Sequence, residues 1–202
     1  QESVEAEIFG TIYHSLMENI YRRFIGKTVT PDALTALAEN DTYLTELIEN
    51  AFSEHYFKNK DRTQPLQGQY FLIGEILRSY VKQTLEADKQ FTPFQYIGAE
   101  YKFKNIYRVT DNLSVNFKGS IDRIDQIEDV YRIIDYKTGN GSTDFKNIAQ
   151  LFDASNNNRP THILQVFIYA LFYAKENPEK KLTPAIYYLR SIFSNFNPSV
   201  TF

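Results

Sequence analysis

Apolar side chains recur along the chain at two different periods, which separates a helical first half from a second half rich in strands. Residues 5–25 carry apolar positions three and four apart, a spacing that predicts an amphipathic helix. The same spacing predicts helices over 31–39, 43–57, 70–85 and 161–176. Thr30 is expected to cap the helix that starts at Pro31, and Asp41 the one that follows it.

β-branched and aromatic residues alternate in part with polar ones after residue 95, which predicts strands. The predicted strands are Tyr96–Phe103, Leu113–Ile127, Val130–Tyr136 and Ala185–Leu189. Glu128–Asp129 is a candidate two-residue turn, and residues 138–160 are predicted as a loop. Helices, then a strand meander, then a helix and a strand predict an α/β fold with a central mixed sheet flanked by helices.

Length, charge and the absence of cysteine limit the classes of protein. The 202 residues fit a single domain, 1–202, with a helical insertion at about 27–69, and the missing initiator Met indicates a fragment of a larger protein. Zero cysteine excludes disulfides, iron–sulfur clusters held by cysteine and a cysteine nucleophile, and fits a cytoplasmic location. The net charge of −3 argues against nucleic-acid binding driven by charge alone. No apolar run is long enough to indicate a membrane protein.

Asp135 and Lys137 stand two residues apart at the end of a predicted strand, so both side chains point to the same face. Ile133 shares this face, while Ile134 and Tyr136 take the other. A strand that is apolar on both faces is usually buried. Charged side chains at its end are therefore costly unless they are paired or bind something.

Asp122 joins this pair if the turn at Glu128 makes a hairpin, because it then lies on the neighbouring strand. Two carboxylates beside a lysine can hold a divalent cation, and oxygen ligands favour Mg²⁺ or Mn²⁺. Such a site supports phosphodiester hydrolysis, in which the metal activates water and the lysine orients it. The alternative for Asp135 and Lys137 is a structural ion pair.

Five short motifs occur in an order that resembles one nuclease family. They are Gly10-x-x-x-His14, Gly98-Ala-Glu100, Gly119-x-x-Asp122-Arg-Ile-Asp125, Ile134-Asp135-Tyr136-Lys137-Thr138-Gly139 and Gln165-x-x-x-Tyr169. They resemble the RecB-like nucleases of the PD-(D/E)xK superfamily, above all the C-terminal nuclease domain of AddB-type and RecB-type recombination proteins. The resemblance implies a restriction-endonuclease-like fold and a Mg²⁺- or Mn²⁺-dependent deoxyribonuclease of the exonuclease type.

The resemblance also assigns roles to single residues. The implied metal ligands are His14, Asp122, Asp135 and the backbone carbonyl of Tyr136. Lys137 would be the catalytic lysine, and Glu100 a secondary acidic residue that holds water or the first helix. Gln165 and Tyr169, one helical turn apart on one face, would orient Lys137 or contact the scissile phosphate. Packing roles for His14, Gln165 and Tyr169 remain the alternative.

Other polar residues keep two interpretations or carry none. Arg123 and Asp125 form either an ion pair that braces the strand or part of the catalytic site. His55 and His162 match none of the motifs and are predicted to be structural. A basic stretch either faces a DNA backbone or is a solvated strand face; it comprises Lys102, Lys104, Arg108 and Lys118.

The resemblance implies partners as well as chemistry. The substrate would be DNA, either single-stranded or a duplex end, brought by a helicase domain or subunit during double-strand-break repair and recombination. Many AddB-like relatives hold an iron–sulfur cluster through four cysteines, which this chain lacks. Two alternatives remain open: a non-catalytic DNA-end-binding or protein-interaction module that retains the fold, and a stand-alone enzyme that acts on RNA or on small nucleic acids.

Overall fold

A computed structural model describes residues 6–59, 63–194 and 196–200. The helices are α1 (Ala6–Arg22), α2 (Pro31–Glu39), α3 (Asp41–His55), α4 (Gln69–Asp88), α5 (Ile148–Phe152) and α6 (Thr161–Glu176). The strands are β1 (Thr28–Val29), β2 (Phe94–Thr110), β3 (Leu113–Ile127), β4 (Val130–Lys137) and β5 (Lys181–Tyr188).

The strands form one five-stranded sheet in the order β1-β2-β3-β4-β5. Neighbours from β1 to β4 run antiparallel, whereas β5 runs parallel to β4. A parallel neighbour needs a crossover connection, and α6 lies in the segment that supplies it. The predicted α/β fold with a central mixed sheet is therefore confirmed.

Apolar clusters cover both faces of the sheet. Helices α1 to α4 pack on one face together with Ile134 and Tyr136, and we call this the first cluster. Helices α5 and α6 pack on the other face with Ile133 and Ile186, which belong to the second cluster. The predicted alternation along β4 is confirmed, and its carboxyl end lies between two helical layers. Asp135 is only 1% exposed there.

Two local predictions on the helices were wrong. Asn40, not Asp41, caps α3, because Asn40 Oδ1 accepts a hydrogen bond from the Tyr43 N–H. The predicted loop over 138–160 contains the short helix α5, which Asn147 caps in the same way. Both caps are asparagines, whose side-chain carbonyl is a good acceptor for the first free N–H groups of a helix.

The hairpin of β2 and β3 is longer than predicted. β2 continues to Thr110 instead of Phe103, because it pairs with β3 out to Leu113. The predicted turn between β3 and β4 is confirmed, and Glu128 adopts a left-handed φ of 52° in it. β5 begins at Lys181, earlier than predicted, alongside the whole of β4.

Residues 27–69 add a strand and two helices to the first cluster. Val29 of β1 pairs with Phe94 of β2, and both are buried. Leu34 of α2 and Phe52 of α3 are fully buried as well. This segment is thus part of the core, while its status as an insertion relative to a family stays a prediction.

Over the described ranges, no helix combines the length and the apolar character needed to cross a membrane. The longest, α4, has 20 residues and carries Glu75, Arg78 and Lys82 among them.

Candidate active site

The site lies at the carboxyl end of β4, where β3 brings a second carboxylate beside it. Arg123 pairs with Ile134 in the antiparallel register. Asp122 and Asp135 are therefore the next facing positions toward the carboxyl end of β4. Asp122 Oδ2 accepts a hydrogen bond of 2.7 Å from the backbone N–H of Tyr136. The predicted placement of Asp122 next to Asp135 is confirmed.

Lys137 lies on the same face as Asp135 and forms an ion pair with it. The distance from Lys137 Nζ to Asp135 Oδ2 is 2.7 Å. The Asp135 side chain is almost fully buried, so the Lys137 ammonium supplies the positive charge directly beside this carboxylate.

Helix α1 faces these strand ends and adds a histidine. His14 Nδ1 lies 3.5 Å from Asp122 Oδ1, and His14 Nε2 lies 3.2 Å from the carbonyl oxygen of Tyr136. One ligand atom each from His14, Glu100 and Asp122 lies within 4.8 Å of the others. One imidazole nitrogen and several oxygens form a donor set that fits a divalent cation.

Glu100 enters this cluster through an unusual backbone conformation. Its φ is 49°, which is sparsely populated for a residue with a side chain. Residues two apart in a regular strand share a face. Ala99 nevertheless packs on the first cluster and Tyr101 on the second. The faces of β2 therefore exchange at Glu100.

β3 exchanges faces at the matching position. Ile121 belongs to the second cluster, whereas Arg123 lies over the ring of Tyr21 in the first. The pairs Ala99–Arg123 and Tyr101–Ile121 flank this point, which puts Asp122 opposite Glu100. Ser120 Oγ donates to Glu100 Oε2 at 2.9 Å and fixes the turned carboxylate. Both acidic side chains of the cluster, Glu100 and Asp122, thus lie at the position where the two strands exchange faces.

Burial disfavours the charged forms of this cluster. Burial and then the charge of Asp135 raise the pKa of Asp122 well above its usual range. Burial also raises the pKa of Asp135, although Lys137 opposes the shift. The pKa of His14 is lowered by burial, so the ring is neutral at pH 7 and can act as a ligand. A bound cation would offset the repulsion between the carboxylates, and the residues present therefore fit a metal.

Gln165 and Tyr169 of α6 form a pair beside the cluster. Gln165 Nε2 donates to the Tyr169 hydroxyl at 2.6 Å. The Tyr169 ring lies close to Gly119 of β3, three residues before Asp122, because a Cβ at Gly119 would lie 3.0 Å from it. Burial raises the pKa of the Tyr169 phenol, and the charges of Asp135 and Asp122 add to the shift.

Two histidines that the motifs did not mark also lie near the site. His162 Nδ1 is 3.1 Å from the hydroxyl of Tyr188, and Tyr188 pairs with Lys137 across the parallel strands. His55 lines a polar cleft of about 600 Å³ that also contains His14 and Glu100. His162 precedes Gln165 by three positions on α6, and this helical spacing is the signal that would have found it.

A buried network lies behind the site, against the first cluster. Arg123 donates at 2.6 Å to both Asp88 and Asp125, and Arg132 donates to both oxygens of Asp125. Arg123 also donates to the hydroxyl of Tyr136, between the two site residues of β4. The ion-pair interpretation of Arg123 and Asp125 is confirmed. Asp88, on α4, is a partner that no sequence motif indicated.

The fold and the site together define a class of protein. A mixed sheet whose adjacent strands present two carboxylates and a lysine toward a helical histidine is suited to metal-assisted attack on a phosphate ester. The chain matches the family model described as the PD-(D/E)XK nuclease superfamily over residues 1–197, and it belongs to this superfamily. No curated protein matches it. The superfamily part of the resemblance is thereby confirmed.

Proposed function

We propose that the chain is a Mg²⁺- or Mn²⁺-dependent deoxyribonuclease that hydrolyses phosphodiester bonds. The observation that carries the proposal is the convergence of His14, Glu100 and Asp122 within 4.8 Å, next to the Asp135–Lys137 pair, in a member of a nuclease superfamily. When bound, the cation would polarise the phosphoryl oxygen and lower the pKa of a bound water.

The ligands come from four elements, α1, β2, β3 and β4. His14, Glu100 and Asp122 supply the clustered donor atoms, and Asp135 and the carbonyl of Tyr136 complete the set in this proposal. The Tyr136 N–H fixes the orientation of Asp122, and Ser120 fixes that of Glu100. Fixed orientations reduce the cost of ordering the ligands when the cation binds.

Lys137 and α6 act on the substrate. The ammonium of Lys137, held 2.7 Å from Asp135, orients the attacking water and stabilises the charge that develops on the phosphate. Gln165 and Tyr169 contact the scissile phosphate, since they form a hydrogen-bonded pair next to Gly119, three residues before Asp122.

The wider setting of this activity is part of the proposal. The five motifs support a nuclease domain of the RecB and AddB type, with exonuclease activity on a DNA strand or a duplex end delivered by a helicase domain or subunit. This setting is double-strand-break repair and recombination in the cytoplasm, and the cysteine-free composition fits that reducing compartment.

Calorimetric titration with Mn²⁺ and cleavage of single-stranded DNA on the same samples test the proposal. The wild type is expected to bind and to cut, and Asp122→Ala to lose both. Asp153→Ala, in an exposed loop, is the matched control and should retain both. A folded wild type that binds no Mn²⁺ and cuts no DNA would refute the proposal and favour a non-catalytic module.

Lys137→Ala is expected to separate metal binding from turnover. Mn²⁺ affinity should remain or rise, because a positive charge next to Asp135 is removed. Cleavage should fall by about 10²–10³-fold, the cost of losing one electrostatic contact to the transition state. Parallel titration and single-turnover cleavage measure the two effects. Loss of Mn²⁺ binding would instead make Lys137 a structural residue.

A further inference from the structure

β2 and β3 continue beyond the candidate site as a two-stranded hairpin, residues 101–119, which we call the arm. β4 pairs with residues 123–127 of β3, so this third strand ends before the arm begins. One face of the arm packs on α6, since Tyr101 contacts Tyr173 and Phe103 contacts Phe172. The opposite face is left to solvent.

The solvent face of the arm is basic. Lys104 pairs directly with Lys118, and Lys102 pairs with Ser120. Residues opposite each other or two apart share a face, so the three lysines form one strip. All three are exposed. We call this strip the basic strip.

The basic strip leads into the candidate site. Ser120, opposite Lys102, donates its hydroxyl to Glu100, and Glu100 lies in the cluster with His14 and Asp122. The exchange of faces at Glu100 brings the acidic cluster next to the solvent face of the arm, which carries the basic strip. A DNA strand that enters the site can therefore continue along the basic strip.

The strip carries uncompensated charge. Two lysines directly opposite each other destabilise a hairpin, because their like charges repel. Within the described residues, Lys102, Lys104 and Lys118 have no ion-pair partner, whereas Arg108 further out is paired with Asp111 at 3.2 Å. A chain of net charge −3 thus concentrates free positive charge on one face beside its site. A polyanion would relieve this repulsion.

We propose that the basic strip binds the phosphodiester backbone of the DNA strand whose scissile phosphate lies in the candidate site. This inference rests on the proposed nuclease function and names the surface that holds the substrate. Consecutive lysines on β2 are about 7 Å apart along the strand, so the strip contacts several phosphates of one extended strand.

Binding of a fluorescent oligodeoxythymidylate tests the strip in EDTA, where no metal chemistry contributes. For Lys104→Ala/Lys118→Ala we expect affinity about tenfold lower at low salt, and a slope of log K against log salt reduced by about 1.4, which is two phosphate contacts on a single strand. In Mn²⁺, the loss should appear in KM for the strand and not in kcat.

The matched control removes two lysines at the far end of the sheet. Lys181 pairs with Val130, at the opposite end of β4 from Asp135, and Lys27 precedes β1 at that same end. Lys27→Ala/Lys181→Ala loses the same net charge and should keep the wild-type slope and affinity. An equal loss in both pairs, an unchanged slope in the arm pair, or a fall in kcat alone would overturn the proposal. If the wild type binds no Mn²⁺, the proposed function fails. Binding of the oligonucleotide in EDTA still tests whether the basic strip binds DNA.

Discussion

Asp135→Ala is expected to abolish cleavage and leave the fold intact. Asp135 is 1% exposed and stands between Lys137 and the opposing Asp122, so its loss removes a ligand and the partner that holds the lysine. Metal assistance contributes several kcal/mol to such reactions, and about 4 kcal/mol corresponds to about 10³-fold in rate. We therefore expect at least this loss in single-turnover cleavage of single-stranded DNA.

The fold should tolerate this change because the carboxylate is not needed for packing. Burial raises the pKa of Asp135, so its charged form is disfavoured there. The Lys137 side chain is 20% exposed, so its ammonium can be solvated when the carboxylate is removed. Thermal unfolding should give a midpoint no lower than that of the wild type. Asp135→Asn, which keeps the shape, should lose cleavage to a similar extent. Retained turnover in either variant would remove Asp135 from the catalytic residues.

Asp88→Ala is expected to destabilise the fold strongly, because it breaks the buried network of charges behind the site. Asp88 is fully buried and accepts hydrogen bonds from Arg123, Tyr21 and Tyr187. Removing it leaves a buried guanidinium with one carboxylate, Asp125, which is also shared with Arg132. Breaking a buried pair in this way costs about 3–5 kcal/mol, against a typical total of about 5–15 kcal/mol.

Urea unfolding followed by circular dichroism measures this cost at neutral pH. The expected result is a midpoint lowered at an unchanged slope, since the same surface is exposed on unfolding. Asp129→Asn is the control, because Asp129 also pairs with a cation, Lys181, but does so in solvent. Its midpoint should match the wild type. Equal midpoints for Asp88→Ala and Asp129→Asn would show that the network contributes nothing to stability.

The strand ends of the site could be predicted because they follow from local pattern. Alternation along β4 places Asp135 and Lys137 on one face, and the short turn at Glu128 determines which residue lies opposite. The motifs around Asp122 and His14 then supplied the remaining candidates. Each of these inferences uses contacts between neighbours in sequence, or one hairpin register.

The rest depended on contacts that no local pattern encodes. The side chain of Asp88 meets Arg123 from 35 residues away. Glu100 reaches the cluster through a left-handed backbone where alternation predicts an ordinary strand residue. The short helix α5 was not predicted, because five residues are too few to show helical periodicity. Tertiary packing stabilises all three features.

The face exchange at Glu100 and Asp122 also limits how the length of the arm can change among relatives. Inserting or deleting one residue in one strand of the arm shifts the pairing and turns its side chains over. Lysines would then point toward α6, and Tyr101 or Phe103 toward solvent. Near the tip the pairing already shifts by one residue between Arg108 and Thr110, so homologous arms should differ in length there and not between Glu100 and Lys104. Sequence alignments of this hairpin should place their gaps between residues 105 and 117 and keep the spacing from Glu100 to Lys104 constant.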